Sequence, residues 1–152
     1  MSRIADRLEE LGLTLPLVFP PAANYLGCVR SGEMLYVGGH GPVDGVRMIT
    51  GKVGTDLTVA EAYEAARMTA LSLLATMYED LGDLDRVRRI VKVFAMVNAA
   101  PGFTQMPAVI DGCSDLLVDV FGDRGRHTRS AVGMAELPFN IAVEIELIAE
   151  VH

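Results

Sequence analysis

The stretch that decides the fold is His127-Thr128-Arg129-Ser130-Ala131-Val132-Gly133-Met134-Ala135-Glu136-Leu137-Pro138-Phe139-Asn140-Ile141-Ala142-Val143-Glu144-Ile145-Glu146-Leu147-Ile148-Ala149. It reads as two strands joined at Leu137-Pro138-Phe139-Asn140, because proline donates no ladder hydrogen bond and asparagine suits turns. In the second strand Val143, Ile145 and Leu147 alternate with Glu144 and Glu146, the period of a half-buried strand. In the first, Arg129 shares its parity with Ala131 and Gly133, so a guanidinium stands over small residues and accessible backbone. That set can hold a carboxylate, or it can be a solvated face on which Arg129 and the glutamates make a weak ion pair. A tight hairpin about Pro138 predicts Arg129 opposite residue 147, ~10 Å along the strand from Glu144, so the two need not touch and could flank a small ligand.

Upstream of this stretch the period changes twice. Thr58-Val59-Ala60-Glu61 is a capping box, in which hydroxyl and carboxylate satisfy each other's orphan amides. Ala62, Ala66, Thr69, Leu73, Met77 and Leu81 then recur at helical spacing up to Gly82, which predicts a long helix whose methionines fill core. Asp83-Leu84-Asp85-Arg86-Val87 is a charged turn, and Arg89 to Asn98 reads as a strand through Ile90, Val91, Val93, Phe94 and Val97. A second helix is expected from about Met106 to Phe121, closed by Gly122.

At the other end, Ser2 caps a short amphipathic helix with Ile4, Leu8 and Leu11 on one face and Gly12 as its stop. Pro16, Pro20 and Pro21 keep the following lead-in extended. A strand from about Asn24 to Arg30 turns at Ser31-Gly32-Glu33 into a second, Met34 to Gly38. Gly38-Gly39-His40-Gly41-Pro42 follows, where backbone can approach a ligand or a bulge can end the strand. It is not a nucleotide loop: Gly51-Lys52-Val53 lacks a hydroxyl residue after the lysine, and the glycines from Gly39 lack the third. His40 reads as a hydrogen-bonded structural residue, since nothing in the spacing of His40, His127 and His152 suits a metal. The order of helices and strands predicts an α+β sandwich of one domain, residues 1–152, with a helix and extended lead-in over 1–21 and two main helices covering one face of a mixed sheet.

Composition narrows the classes. With 51% hydrophobic residues, 152 residues carry more apolar surface than a small monomer needs, which points to a subunit interface. No apolar run is long enough for a membrane span. A net charge of −7 argues against general nucleic-acid binding, although Arg86, Arg88, Arg89 and Arg124, Arg126, His127 form small basic clusters. Cys28 and Cys113 lie far apart without paired spacing, as expected of buried thiols in a reducing compartment. The N-terminal stretch lacks the apolar core of a signal peptide, so a cytoplasmic protein is expected.

Together these residues resemble the RidA family, also called YjgF/YER057c/UK114. The resemblance rests on Arg129-Ser130-Ala131-Val132, the Leu137-Pro138 corner and Val143-Glu144-Ile145-Glu146-Leu147-Ile148-Ala149. Tyr25, the Gly39 and Pro42 turn, and Asp85-Arg86-Val87 leading into Val91-Lys92-Val93 support it, and it covers about residues 22 to 151. The extra N-terminal helix, Val97-Asn98-Ala99-Ala100-Pro101 and Ser114-Asp115-Leu116-Leu117-Val118 resemble a longer branch of that family.

The resemblance implies a chorismate-mutase-like fold, a homotrimer with ligand sites in clefts between subunits, and no metal or organic cofactor. It implies hydrolysis of reactive enamines and imines, such as 2-aminoacrylate and 2-iminopropanoate, to 2-keto acids and ammonia. Arg129 would clamp the substrate carboxylate and Glu144 would handle the water. Backbone of Gly39 and Ala131 would fix amine and water, and Tyr25 would close the pocket. Ala131 stands where many members have cysteine, Gly38 where many have a hydroxyl residue, and Ile110 where an asparagine is common. A trimeric module that binds a small carboxylate without turnover, and a ribonuclease or translation inhibitor, are the alternatives.

Overall fold

The computed structural model describes residues 2–152. Helix α1 (Arg3–Glu10) opens the chain, capped by Ser2, whose Oγ accepts from the Ala5 amide at 3.3 Å. A second acceptor comes from far along the sequence: the Asp85 carboxylate takes the amides of Arg3 (2.7 Å) and Ile4 (3.1 Å). A carboxylate at a helix N-terminus satisfies orphan donors and complements the helix dipole. The Asp83–Val87 turn is therefore the seat of α1, whose Ile4 and Leu8 are buried.

Five strands follow in one mixed sheet: β1 (Cys28–Ser31), β2 (Met34–His40), β3 (Val87–Asn98), β4 (Thr128–Met134) and β5 (Val143–Val151). Their spatial order is β1-β2-β5-β3-β4, with β3 and β4 parallel and every other pair antiparallel. Two helices, α2 (Val59–Leu81) and α3 (Met106–Phe121), pack on one face. The Thr58/Glu61 capping box is formed, and Gly82 ends α2 in the left-handed region at φ 74°. The two helices meet backbone to backbone at Gly112, where a Cβ would lie 2.1 Å from the Tyr63 carbonyl oxygen. Among the described residues no helix is long and apolar enough to cross a membrane.

The closing stretch departs from the expected hairpin. β4 and β5 are not neighbours, because β3 lies between them and pairs with both. Arg129 does share a row with Leu147, but through Val93, one strand further away than a hairpin would put it. The corner between the strands is a short 3-10 turn over Pro138–Asn140, in which Phe139 and Asn140 have φ of 56° and 57°. Asparagine is at home in that left-handed region, whereas an aromatic residue there is uncommon. Asn140 is anchored as well: its Oδ1 accepts from Nδ2 of the buried Asn98 (2.9 Å), whose Oδ1 accepts from Lys52 Nζ (2.9 Å).

The first strand is also shorter than expected. Residues before Cys28 turn back on themselves, the Tyr25 amide donating to the Ala23 carbonyl at 3.0 Å. β2 runs on to His40, with a bulge between Val37 and His40 that re-aims the strand. Cys113 is buried as read, while Cys28 is only half-buried.

Alternation along the central strands separates two faces. Leu35, Val93, Ala95, Ile145 and Leu147 lie under the helices with exposures of 2% or less. The opposite face carries Tyr36, Phe94, Met96, Val132 and Ile148 with Glu144 and Glu146, and among the described residues no helix packs there.

Candidate functional site

Arg129 lies on the helix-covered side, in the same row as the buried Val93. Its guanidinium reaches α3 and is held there by three residues at i, i+4 and i+7, one face of that helix. Nη1 donates to Ser114 Oγ (3.1 Å), and Nη2 donates to the Pro107 carbonyl (3.3 Å) and pairs with Asp111 Oδ1 (2.9 Å).

Ser114 is itself fixed. His127 Nδ1 lies 2.6 Å from the Gly125 carbonyl, which can only accept, so Nδ1 carries the proton. The other nitrogen, Nε2, then accepts from the Ser114 hydroxyl at 3.0 Å. Burial lowers the pKa of His127, the Gly125 bond opposes this, and the Arg129 charge adds to the lowering. The neutral imidazole keeps its acceptor for Ser114.

Glu144 stands on the open face, in the row of Met96 and Val132. Gly39 lies against it: a Cβ there would be 3.1 Å from the Glu144 carboxyl carbon. Desolvation, and then the charge of Glu146, raise the pKa of Glu144. A carboxyl poised this way exchanges protons more readily near neutral pH than an ordinary glutamate.

The expected site residues thus fall into two groups. Gly39 and Glu144 are brought together, and Ala131 shares the face of Arg129. The two groups lie on opposite faces of the sheet, separated by about 10 Å along the strands and about 10 Å across them on ideal sheet spacings. Among the described residues Tyr25 joins neither group through a hydrogen bond; it lies two residues before Gly27, whose carbonyl accepts from the Gly38 amide, and is 61% exposed. Ile110 is fully buried in the core, so that position lines no cleft.

Asp111, Ser114 and His127 are the residues that sequence reasoning did not single out for the site. The available signal was the 107, 111, 114 spacing on α3 and the two-residue step from His127, just before β4, to Arg129 on it. His40 is structural, as expected: Nδ1 donates to the Gly38 carbonyl and Nε2 accepts from the Thr76 hydroxyl, both at 2.7 Å. Among the described residues no group of three or more His, Cys, Asp or Glu side chains is placed to hold a metal ion.

Comparison with known proteins gives consistent relatives. Residues 5–151 match the family described as "YjgF/chorismate mutase-like, putative endoribonuclease". Protein TCP17 of Trypanosoma cruzi is 46% identical over 152 residues, covering 99% of this chain and 95% of the relative. The crystal structure of Atu1372 from Agrobacterium tumefaciens, a protein of unknown function, is 44% identical with a TM-score of 0.91, covering 98% of this chain and 92% of that one. A "putative endoribonuclease" from Shewanella oneidensis is 32% identical with a TM-score of 0.93, covering 97% and 99%.

Proposed function

Because the chain belongs to the YjgF/chorismate-mutase-like family, we propose that it is an imine and enamine deaminase, working as a homotrimer with its sites in the clefts between copies. The observation that carries this reading is the placement of Arg129 and Glu144 on opposite faces of one sheet. Neither can serve the other's ligand within a chain, so a site using both draws Arg129 from one copy and Glu144 from the next. The apolar open face supplies a reason for copies to associate, since exposed Tyr36 and half-buried Phe94, Met96 and Ile148 gain by leaving water.

In the proposed reaction the substrate carboxylate lies on Arg129, whose planar fork suits a carboxylate better than a lysine would. Glu144 removes a proton from a water that attacks C2 of the imine. Return of that proton to nitrogen gives the carbinolamine; Glu144 then takes the hydroxyl proton and passes it to the amine, so that the carbonyl forms as the C–N bond breaks and ammonia leaves a 2-keto acid. An enamine enters the same path after a proton is added at C3. The raised pKa of Glu144 suits a group that must take and return a proton twice per turnover. Backbone of Gly39 and Ala131 lines the cleft, and Tyr25, exposed in one copy, covers it.

The test is release of ammonia and 2-keto acid from freshly generated 2-iminopropanoate. Arg129→Ala and Glu144→Gln should each slow the reaction by about a hundredfold or more, the scale of a lost general base or of a lost charge clamp. A wild-type rate no faster than the uncatalysed one rejects the deaminase. Saturable binding of the keto acid without turnover would then favour the carboxylate-binding module. RNA cleavage is a weaker reading for this chain, because a net charge of −7 repels the phosphate backbone.

A further inference from the structure

We propose that Asp111 is a resident competitor for the carboxylate site on Arg129, and that Ser114 and His127 seat the guanidinium so that a ligand carboxylate replaces Asp111 without moving Arg129. This rests on the reading of Arg129 as the carboxylate clamp and adds what governs access to it.

The three groups that α3 offers Arg129 differ in how easily they can leave. The Pro107 oxygen is main chain and cannot leave. Ser114 is short and is tied in turn to His127 Nε2, whose other nitrogen is locked on the Gly125 carbonyl. Asp111 differs from both. Its side chain is 50% exposed against 25% for Arg129, and its one ion pair among the described residues is with that arginine. A rotation about its side-chain bonds would carry it into water at little cost.

The structure therefore holds a carboxylate on the guanidinium already, with an oxygen 2.9 Å from Nη2. A substrate carboxylate that reaches Nη2 has the same charge and shape and competes for that place. Nη1 stays on Ser114 and Nη2 keeps the Pro107 carbonyl, so the fork stays oriented through the exchange. Binding is then weaker than a bare arginine would give. In return, no unpaired guanidinium is left half-buried when the site is empty, a state that costs more than the pair contributes.

The measurement is calorimetric titration of 2-oxobutanoate into the full-length wild type, Arg129→Ala, Asp111→Asn, Asp111→Ser and Ser114→Ala, with circular dichroism to confirm that each is folded. Removing the competitor should tighten binding about three- to fivefold in both Asp111 variants, the size of competition from a half-exposed ion pair. Ser114→Ala should weaken binding by a similar factor, because Arg129 loses its seat. In turnover of 2-iminopropanoate, Asp111→Asn should lower KM by more than it changes kcat. If wild type binds, Arg129→Ala does not, and both Asp111 variants bind no tighter than wild type, the competitor is overturned while the Arg129 clamp stands. If Arg129→Ala binds as well as wild type, or wild type does not bind, the clamp itself falls and the competitor with it.

Discussion

The two faces of the sheet are written by the same alternation and finish differently. On the helix side, Leu35, Val93, Ala95, Ile145 and Leu147 disappear under α2 and α3. On the other side, Tyr36 is 47% exposed and Val29 51%, with Phe94, Met96 and Ile148 half-buried beside them. The covered face holds a cation that its own helix partners satisfy. The open face holds a carboxyl whose pKa is raised at the margin of an apolar surface. One chain therefore completes the arginine half of the proposed site and leaves the glutamate half for a second copy to finish.

The most severe way to break the covered face is at its helix crossing. Gly112→Val would drive a side chain into the Tyr63 carbonyl, which lies 2.1 Å from where the Cβ would be, with the Arg67 amide at 3.2 Å. Both obstacles are backbone, so α2 and α3 must separate. The cost should be about 3 kcal/mol or more, the upper range for overpacking. Thermal melting should show this as a drop of roughly 6–12 °C for a chain of this size. A variant melting within 2 °C of wild type would show that the helices do not cross as described.

Breaking the open face should leave the fold and remove the assembly. Ile148 sits in the row of Tyr36 and Lys92, within the apolar half of that face. Under the proposed trimer, Ile148→Glu should therefore run as a single chain in light scattering and wild type as three. Its melting curve should still be cooperative, and its deaminase rate should fall with the mass. An Ile148→Glu protein that keeps the wild-type mass would remove the open face as the contact between copies.

The closing motif made the faces legible but not the neighbours. Alternation placed Val143, Ile145 and Leu147 toward a core, and they are buried. What alternation cannot express is which strand lies alongside, and the Leu137-Pro138 corner suggested a hairpin that β3 in fact interrupts. The capping box at Thr58 and Glu61, and the stop at Gly82, were local signals and needed no tertiary knowledge. Arg129 shows the other limit. Ala131 and Gly133 looked like room for a ligand, yet a Cβ on Gly133 would lie 3.2 Å from Ala99 and 3.7 Å from Met106. At Gly133 the small residue answers crowding from within the chain. Asp111, Ser114 and His127 become a set only when α3 lies against β4, which no local pattern reports.

A finer change sharpens the glutamate half alone. Gly39 carries no positive φ, so alanine fits its backbone, but the added Cβ would press on the Glu144 carboxyl at 3.1–3.3 Å. The carboxyl must give by a few tenths of an ångström. Gly39→Ala should slow imine hydrolysis about tenfold, a fraction of what a full 1 Å misplacement costs. Assembly and melting temperature should be unchanged. A wild-type rate in this variant would mean that Glu144 is not held where the reaction needs it.

The smallest effect concerns the covered face and pH. His40 fastens the end of β2 to α2, donating from Nδ1 to the Gly38 carbonyl and accepting at Nε2 from Thr76. Burial lowers its pKa and the Gly38 bond only partly opposes this. A base with a lowered folded pKa binds its proton more weakly folded than unfolded. Above the unfolded value, about 6.5, it is neutral in both states and costs nothing. As pH falls through that value the unfolded chain gains a proton that the folded chain does not, so stability declines. At pH 7.5, His40→Gln should cost about 1 kcal/mol for the lost hydrogen bonding. At pH 5.5 the gap between the two proteins should narrow, because glutamine has no proton to gain. His127, lowered in the same direction, is present in both proteins and drops out of the difference. A gap that is the same at both pH values in urea melts would mean that His40 does not resist protonation in the fold.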